Sequence, residues 1–262
     1  MTSIFRQTLW VGAIVGLALP VHAAQGVLLV QQMTVGGSVR TTQIQIEPQR
    51  MRAEVADQDG KTQVVIFDGA KQVMWVIDAS RKSYMEMTRA DVERMGSQMS
   101  AAMAAMQEQL KNMPPAQRAK IEAMMKGRGM APATAPTEYR RAGTDKVRRW
   151  TCARYEGFEN GQKTSEVCTV EPKELGFTAA DFAVTREMAE FFRRLAPNAS
   201  VFAVGTSDAQ GFSGVPVRSV IGSGADQIVT EIVDARRDTF PDALFAVPEG
   251  FARQALPGAP GR

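Results

Sequence analysis

The side chains best equipped for chemistry in this chain carry sulfur. Met95, Met99, Met103, Met106, Leu110 and Met113 follow one another at intervals of 4, 4, 3, 4 and 3. That spacing matches the turn of an α-helix, so the six form one stripe that does not drift around it. Thioethers are unbranched and polarizable, which suits packing against variable apolar partners. They are also soft ligands for Cu(I). Three uses therefore stand open: the inside of a helical hairpin, a cover in which Met99, Met103 and Met106 touch a lipid-like ligand, or capture of Cu(I). Against copper, Leu110 interrupts the stripe and cannot ligate, and no histidine stands beside it. We expect no metal and no cofactor.

The one histidine, His22, lies in the leader-like stretch "MTSIFRQTLWVGAIVGLALPVHAAQG". A single positive charge at Arg6, an apolar run from Leu9 to Pro20 and a small-residue site give the three parts of a secretory signal. The apolar run is about a dozen residues, too short to cross a bilayer core of roughly 30 Å as a helix. Cleavage after Ala23, or alternatively Ala24, is expected, which makes residues 1–23 a signal peptide and the mature protein a soluble periplasmic one with no transmembrane segment. The mature chain would then hold no histidine, so Ser-His-Asp and Cys-His catalysis and histidine-ligated metals are excluded. No Gly-x-Ser-x-Gly elbow is present, and "IGSGAD" lacks the spacing of a nucleotide loop. Asp68 and Asp78 read as turn residues. The expectation is a protein that is not an enzyme.

The two cysteines, Cys152 and Cys168, flank "ARYEGFENGQKTSEV". Both flanks alternate, and Glu159-Asn160-Gly161 reads as a three-residue hairpin loop with Gly161 in the left-handed position. Pairing outward from Asn160 sets Cys152 opposite Cys168 and Arg154 opposite Glu166. In an oxidising compartment this pair is expected to form a structural disulfide.

These groups must be positioned by a chain that is 44% hydrophobic and 23% charged, a globular balance. The net charge of +3 is too small for a nucleic-acid footprint. Its densest basic run, Arg140, Arg141, Lys146, Arg148 and Arg149, is either a solvated strand face or a contact for anionic lipid headgroups. From Gly26 to Met87 the period is two, with turn residues every eight to twelve positions, the pattern of an antiparallel meander. Val64, Ile66, Met74 and Val76 are expected to face inward, and Trp75 and Tyr84 to be core and rim. Thr88 and Asp91 then form a capping box. One helix follows to about Met113, Pro114-Pro115 stops it, and a second ends at Gly127, a hairpin spanning 88–127. A linker at 128–137 leads back to strands. The stretch "TAADFAVTREMAEFFRRLAP" is one further helix, with Phe182, Val184, Met188, Phe191 and Leu195 near helical spacing. Strands resume at "SVFAVG", and residues 253–262 read as a flexible tail after a single domain over 24–252.

The stretch "IFDGAKQVMWVIDASRKSYMEM", from Ile66 to Met87, resembles the meander of lipoprotein-carrier-like proteins, the LolA/LolB-like superfamily. "LFAVPEGF", from Leu244 to Phe251, is similar to the closing Phe-x-x-Pro-x-Gly-aromatic of relatives. Over Gly26–Met87 and Glu138–Phe251 the chain resembles an uncharacterised exported bacterial family of that group, a domain of unknown function. The resemblance implies an α+β fold: an antiparallel sheet curved into a half-barrel, its helices closing an apolar cavity for acyl chains. The methionine-rich hairpin is a departure, and "PPAQRAKIEAMM" within it resembles helical periplasmic stress chaperones. The expected function is non-enzymatic binding of an apolar or lipid-like ligand, or of an exposed apolar segment. Val64, Ile66, Met74 and Val76 would line the concave face, and Met99, Met103 and Met106 the cover. The alternative is an envelope interaction protein that docks a protein partner through the hairpin.

Overall fold

The computed structural model describes residues 23–56, 62–114, 117, 137–193, 195, 211–224 and 227–256. The signal segment, the second arm of the expected hairpin, most of the linker and "SVFAVG" lie outside these residues. Six strands open the chain, each running between the turn residues that the period-two pattern marked. They are β1 (Ala23–Val35), β2 (Ser38–Ile46), β3 (Arg50–Ala56), β4 (Thr62–Asp68), β5 (Val73–Asp78) and β6 (Ser83–Thr88). Ala23 and Ala24, the expected processing points, open β1 opposite Pro241 and Phe240. Helix α1 (Arg89–Lys111) follows, then β7 (Glu138–Val147), β8 (Trp150–Glu159) and β9 (Gln162–Val170). Helix α2 (Ala183–Phe192), β10 (Val215–Ile221), β11 (Ile228–Pro241) and β12 (Ala252–Gln254) complete the order.

Among the described residues, these twelve strands join one open sheet in the order β12-β6-β5-β4-β3-β2-β1-β11-β10-β9-β8-β7. Every pairing is antiparallel except that of β12 with β6, where Arg253 and Gln254 stand opposite Tyr84 and Met85. The chain therefore stays in the sheet to Gln254, past the point where a loose tail was expected.

The main core shows how the sheet is bent. Phe182, Val184, Met188, Phe191 and Phe192, on α2 and its lead-in turn, share one cluster with Met74 of β5, Phe67 of β4, Val27 of β1, Val170 of β9 and Trp150 of β8. Strands this far apart in the order can meet one short helix only if the sheet curves around it. The lead-in is pinned from outside as well. Asp181 accepts from both Thr178 and Arg237, with Arg237 Nη2 at 2.9 Å. The Arg237 hydrogen bond, the largest influence, holds the Asp181 carboxyl below the usual carboxylate range.

A second, smaller core lies on the other side of the β4–β6 region. Ile66, Ile77 and Leu28 pack there against Phe240 and Phe245, with Trp75, Tyr84, Leu244, Val247 and Phe251 around them. The "LFAVPEGF" segment is thus the lid of this second core. Burial on both faces removes the hydrophobic-in, polar-out alternation that would have told the faces apart.

The disulfide hairpin departs from its expected register. Asn160 and Gly161, at φ 51° and 79°, form a two-residue turn closed by Glu159 opposite Gln162. Two consecutive left-handed residues are what the Asn-Gly turn of a twisted hairpin requires. An extra residue at Thr164 then shifts the ladder, so Arg154 faces Cys168 and Glu156 faces Glu166. Cys152 and Cys168 still bond, diagonally, across a Cα separation of 5.4 Å. Two carboxylates set face to face would repel. Here Lys163 Nζ lies 2.8 Å from Glu156 and 2.9 Å from Glu166, and Arg154 Nη1 lies within 3.4 Å of both.

Candidate functional site

The methionine stripe sits on α1, and α1 is held at one end. Thr88 Oγ1 accepts from the Asp91 backbone N–H at 3.3 Å, and Asp91 Oδ2 accepts from the Thr88 N–H at 3.0 Å. This reciprocal capping box satisfies two of the donors that a helix start leaves unpaired. The Thr88 hydroxyl, followed by its backbone N–H and Arg94, holds the Asp91 carboxyl below its ordinary range. Val92, 1% exposed, enters the main core, and the helix touches β6 and α2 there. Its buried residues are Val92 and Gly96, both in the first two turns.

Beyond Gly96 the helix carries its apolar stripe only partly covered. Met99 is 46% exposed. Met95, Met103, Met106, Leu110 and Met113 are half-buried. The contrast with Met188 at 2% and Met51 at 7% is large. The expected cover over the sheet is therefore not how Met99 sits.

The four strand residues do not share a face. Val64 stands opposite Ile77 and Ile66 opposite Trp75, whereas Phe67 stands opposite Met74 and Val65 opposite Val76. Directly paired residues point to one side and neighbours alternate. Val64 and Ile66 accordingly belong to the second core and Met74 and Val76 to the main one. The expectation of one concave lining set is corrected by this register. The main face is also occupied: Phe191 packs edge-on against Phe67 at 5.2 Å and against Phe192 at 5.0 Å. A side-chain plug from α2 fills the place where an acyl cavity was expected.

Two open clefts lie among the described residues, each lined mainly by polar and charged residues. One, of about 500 Å³, lies at the root of α1 between Gln49, Gly69, Gln72, Arg89, Arg186 and Glu187. Its wall is braced by Gln72, which adopts a left-handed φ of 52°. Gln72 donates to the Gly69 carbonyl at 2.7 Å and accepts from Arg89 at 2.9 Å. The other, of about 640 Å³, lies between Tyr139, Glu159, Lys163, Ser165 and Ile221. Sequence reasoning found neither, because each joins segments distant in the chain.

The remaining candidates behave as structural groups. Asp68 accepts from the Lys71 backbone at 2.9 Å and Asp78 from that of Arg81 at 3.0 Å, as turn residues do. In the basic run, Arg140 pairs with Glu138, Arg148 with Glu231 and Arg149 with Asp234. Much of that charge is neutralised within the sheet. Among the described residues, no three His, Cys, Asp or Glu side chains are grouped to hold a metal. Nor is any helix among them long and apolar enough to cross a membrane.

A family profile described as "Domain of unknown function (DUF4412)" matches residues 93–251, from the second turn of α1 through the lid of the smaller core. No curated protein matches the sequence. Among solved structures, an uncharacterized conserved protein from Thermus thermophilus aligns over 88% of this chain and 90% of its own, at 8% identity and a TM-score of 0.46. The MucA/MucB complex of Pseudomonas aeruginosa aligns over 85% of this chain and 56% of its own, at 12% identity and 0.37. A LolA superfamily protein from Nitrosomonas europaea aligns over 87% and 91%, at 9% identity and 0.29. Likeness of this degree says nothing about ligand or partner.

Proposed function

The chain belongs to the DUF4412 family of domains of unknown function, and on that premise we propose a non-enzymatic periplasmic binding protein for an apolar or lipid-like ligand, or for an exposed apolar segment. The ligand lies along Met99, Met103 and Met106 of α1, outside the sheet. One observation carries this reading: α1 is capped and buried over its first two turns, then carries an apolar stripe in which Met99 is 46% exposed and Met103 and Met106 are half-buried. A rigidly rooted helix keeps the stripe ordered without a ligand, so little ordering entropy is lost on binding. Flexible thioethers let the same surface accept acyl chains of different shape. The strand residues Val64, Ile66, Met74 and Val76 support the helix by stabilising the two cores.

The test uses the mature protein and a dansyl-labelled undecanoic acid, followed by fluorescence. The variant Met99→Gln/Met103→Gln/Met106→Gln keeps side-chain length and helix propensity but makes the stripe polar. Across the three, roughly one methionine side chain's worth of apolar surface is open, and covering it is worth about 1.5–3 kcal/mol, so probe affinity should fall about tenfold or more while the far-UV circular dichroism stays the same. Equal affinity in the variant would place the ligand elsewhere, and absence of binding to either protein would end the apolar reading.

A further inference from the structure

The cleft at the root of α1 holds a charged group that the fold leaves without a partner. Glu187 of α2 is half-buried and lines this cleft. A Cβ added at Gly69 would lie 1.9 Å from its Oε2, so only glycine lets the carboxylate lie against the turn after β4. Among the described residues Glu187 makes no hydrogen bond or ion pair. Even the nearby Gly69 N–H is committed elsewhere, to the Gln49 carbonyl at 2.8 Å. Glu190, the other carboxylate of the cleft, is paired with Arg193 at 2.8 Å.

Positive charge lines the same space of about 500 Å³, with Arg89 entering from α1 and Arg186 from α2. Arg89 is shared between the Gln72 amide oxygen at 2.9 Å and Glu93 at 3.5 Å. An exposed ion pair of that kind contributes little, so Arg89 can turn to a better acceptor. Arg186 donates to the Ala179 carbonyl at 3.2 Å. Between these groups the wall is a single hydrogen-bonded chain. Gly69 joins the Gln49 carbonyl, the Gln72 side chain donates to the Gly69 carbonyl at 2.7 Å, and Arg89 donates to Gln72. A wall already tied together loses little ordering entropy when a ligand arrives.

A simple cation in this cleft would meet two guanidiniums, and a simple anion would meet the unpaired Glu187. A ligand that carries both charges satisfies both sides. We propose that the cleft binds a zwitterion of the phosphoethanolamine type, with its primary ammonium on Glu187 and its phosphate on Arg89 and Arg186. A phosphate is tetrahedral, so its oxygens can accept from guanidiniums that arrive on different helices. A quaternary ammonium has no N–H and would leave the Glu187 carboxylate without a hydrogen bond. The same chemistry has two sources, the headgroup of a membrane lipid and a free phosphoethanolamine ester. None of the stripe methionines lines the cleft, so the proposal stands apart from the apolar reading of α1.

The experiment is isothermal titration of the mature protein with glycerophosphoethanolamine, compared with glycerophosphocholine, glycerol phosphate and ethanolamine. Each comparison compound lacks one charge-assisted contact, so glycerophosphoethanolamine should bind more tightly than any of them by about tenfold or more. Glu187→Gln keeps the size of the side chain and should weaken that binding by about tenfold. Gly69→Ala, whose Cβ would push the carboxylate off its seat, should weaken it similarly. Urea titration follows the fold of both variants, and Glu187→Gln decides the matter where Gly69→Ala is unstable. The variant Met99→Gln/Met103→Gln/Met106→Gln should bind the zwitterion as the parent does, which keeps this test separate from that of the stripe. Absence of binding, equal affinity for the choline compound, or parental affinity in Glu187→Gln would overturn the proposal. Flotation with phosphatidylcholine vesicles, with and without phosphatidylethanolamine, then identifies the source. Recruitment only by the vesicles with phosphatidylethanolamine assigns a membrane headgroup, and binding of the soluble compound without recruitment assigns the free ester.

Discussion

Replacing Phe191 by alanine tests whether α2 is a fixed plug in the curved sheet or a movable cover over a cavity. The ring is 2% exposed and makes edge-on contacts with Phe67 at 5.2 Å and Phe192 at 5.0 Å. Truncating a core phenylalanine costs about 3–5 kcal/mol. Each aromatic pair is worth about 0.5–1.5 kcal/mol beyond its buried area. Two such pairs put this site in the upper half of that range, about 4–5 kcal/mol. With a urea dependence of about 2–3 kcal/mol/M, the unfolding midpoint of Phe191→Ala should fall by about 1.5–2 M. Circular dichroism during urea titration reads it directly. Met99→Ala is the companion, because an exposed substitution of this kind changes stability by at most about 0.5 kcal/mol. A midpoint shift below about 0.5 M for Phe191→Ala would refute the plug, since a ring resting on a loose cover loses little when it is removed. Probe binding adds a second readout: a plug gives no new dansyl-undecanoate site until the cavity is cut.

Other perturbations report on separate parts of the fold. Replacing both Cys152 and Cys168 by alanine should lower stability by about 3 kcal/mol in a thermal melt, the loop-entropy contribution of a bridge closing a segment this long; a melt unchanged by substitution or reductant would show the hairpin held by other means. Glu47 is buried with Oε1 lacking a partner and Oε2 paired to Arg50, and burial, the largest influence, raises its pKa above 4.5. The folded state then holds this proton more tightly than the unfolded state, so its contribution is complete below pH 4.5 and is lost as pH rises through the folded value. Urea melts should therefore show Glu47→Gln gaining on the parent as pH rises above 4.5, and a gap constant with pH would contradict the assignment. In Gly26→Ala the new Cβ would lie 2.5 Å from the Ile46 carbonyl oxygen and 2.8 Å from the Phe240 ring. Overpacking of that kind costs about 1–3 kcal/mol, and an unaffected melting temperature would mean that β1 and β2 separate more easily than their ladder suggests.

Much of this architecture was written locally in the residues. The meander from β1 to β6 follows from period-two runs broken by Gly-Gly, Pro and Asp turns, each recognisable without knowledge of its neighbours. Thr88 and Asp91 announce the start of α1, and the helical spacing of its methionines fixes one stripe. Phe182, Val184, Met188 and Phe191 likewise mark the buried side of α2, and the pairing of Cys152 with Cys168 follows from their being the only two cysteines. What tertiary structure decided was which surfaces these elements cover. A strand offers two faces, and a shift of one residue exchanges them. With both faces of β4 and β5 buried, nothing in their composition separates Val64 and Ile66 from Met74 and Val76, so only the ladder could sort them. The bulge at Thr164 did the same to the cysteine hairpin, because an inserted residue moves every later pair. Nor can a stripe of methionines reveal whether it is covered. That depended on α2 occupying the curved face of the sheet and on α1 entering the core through Val92 in its first turns, contacts between segments far apart in the chain.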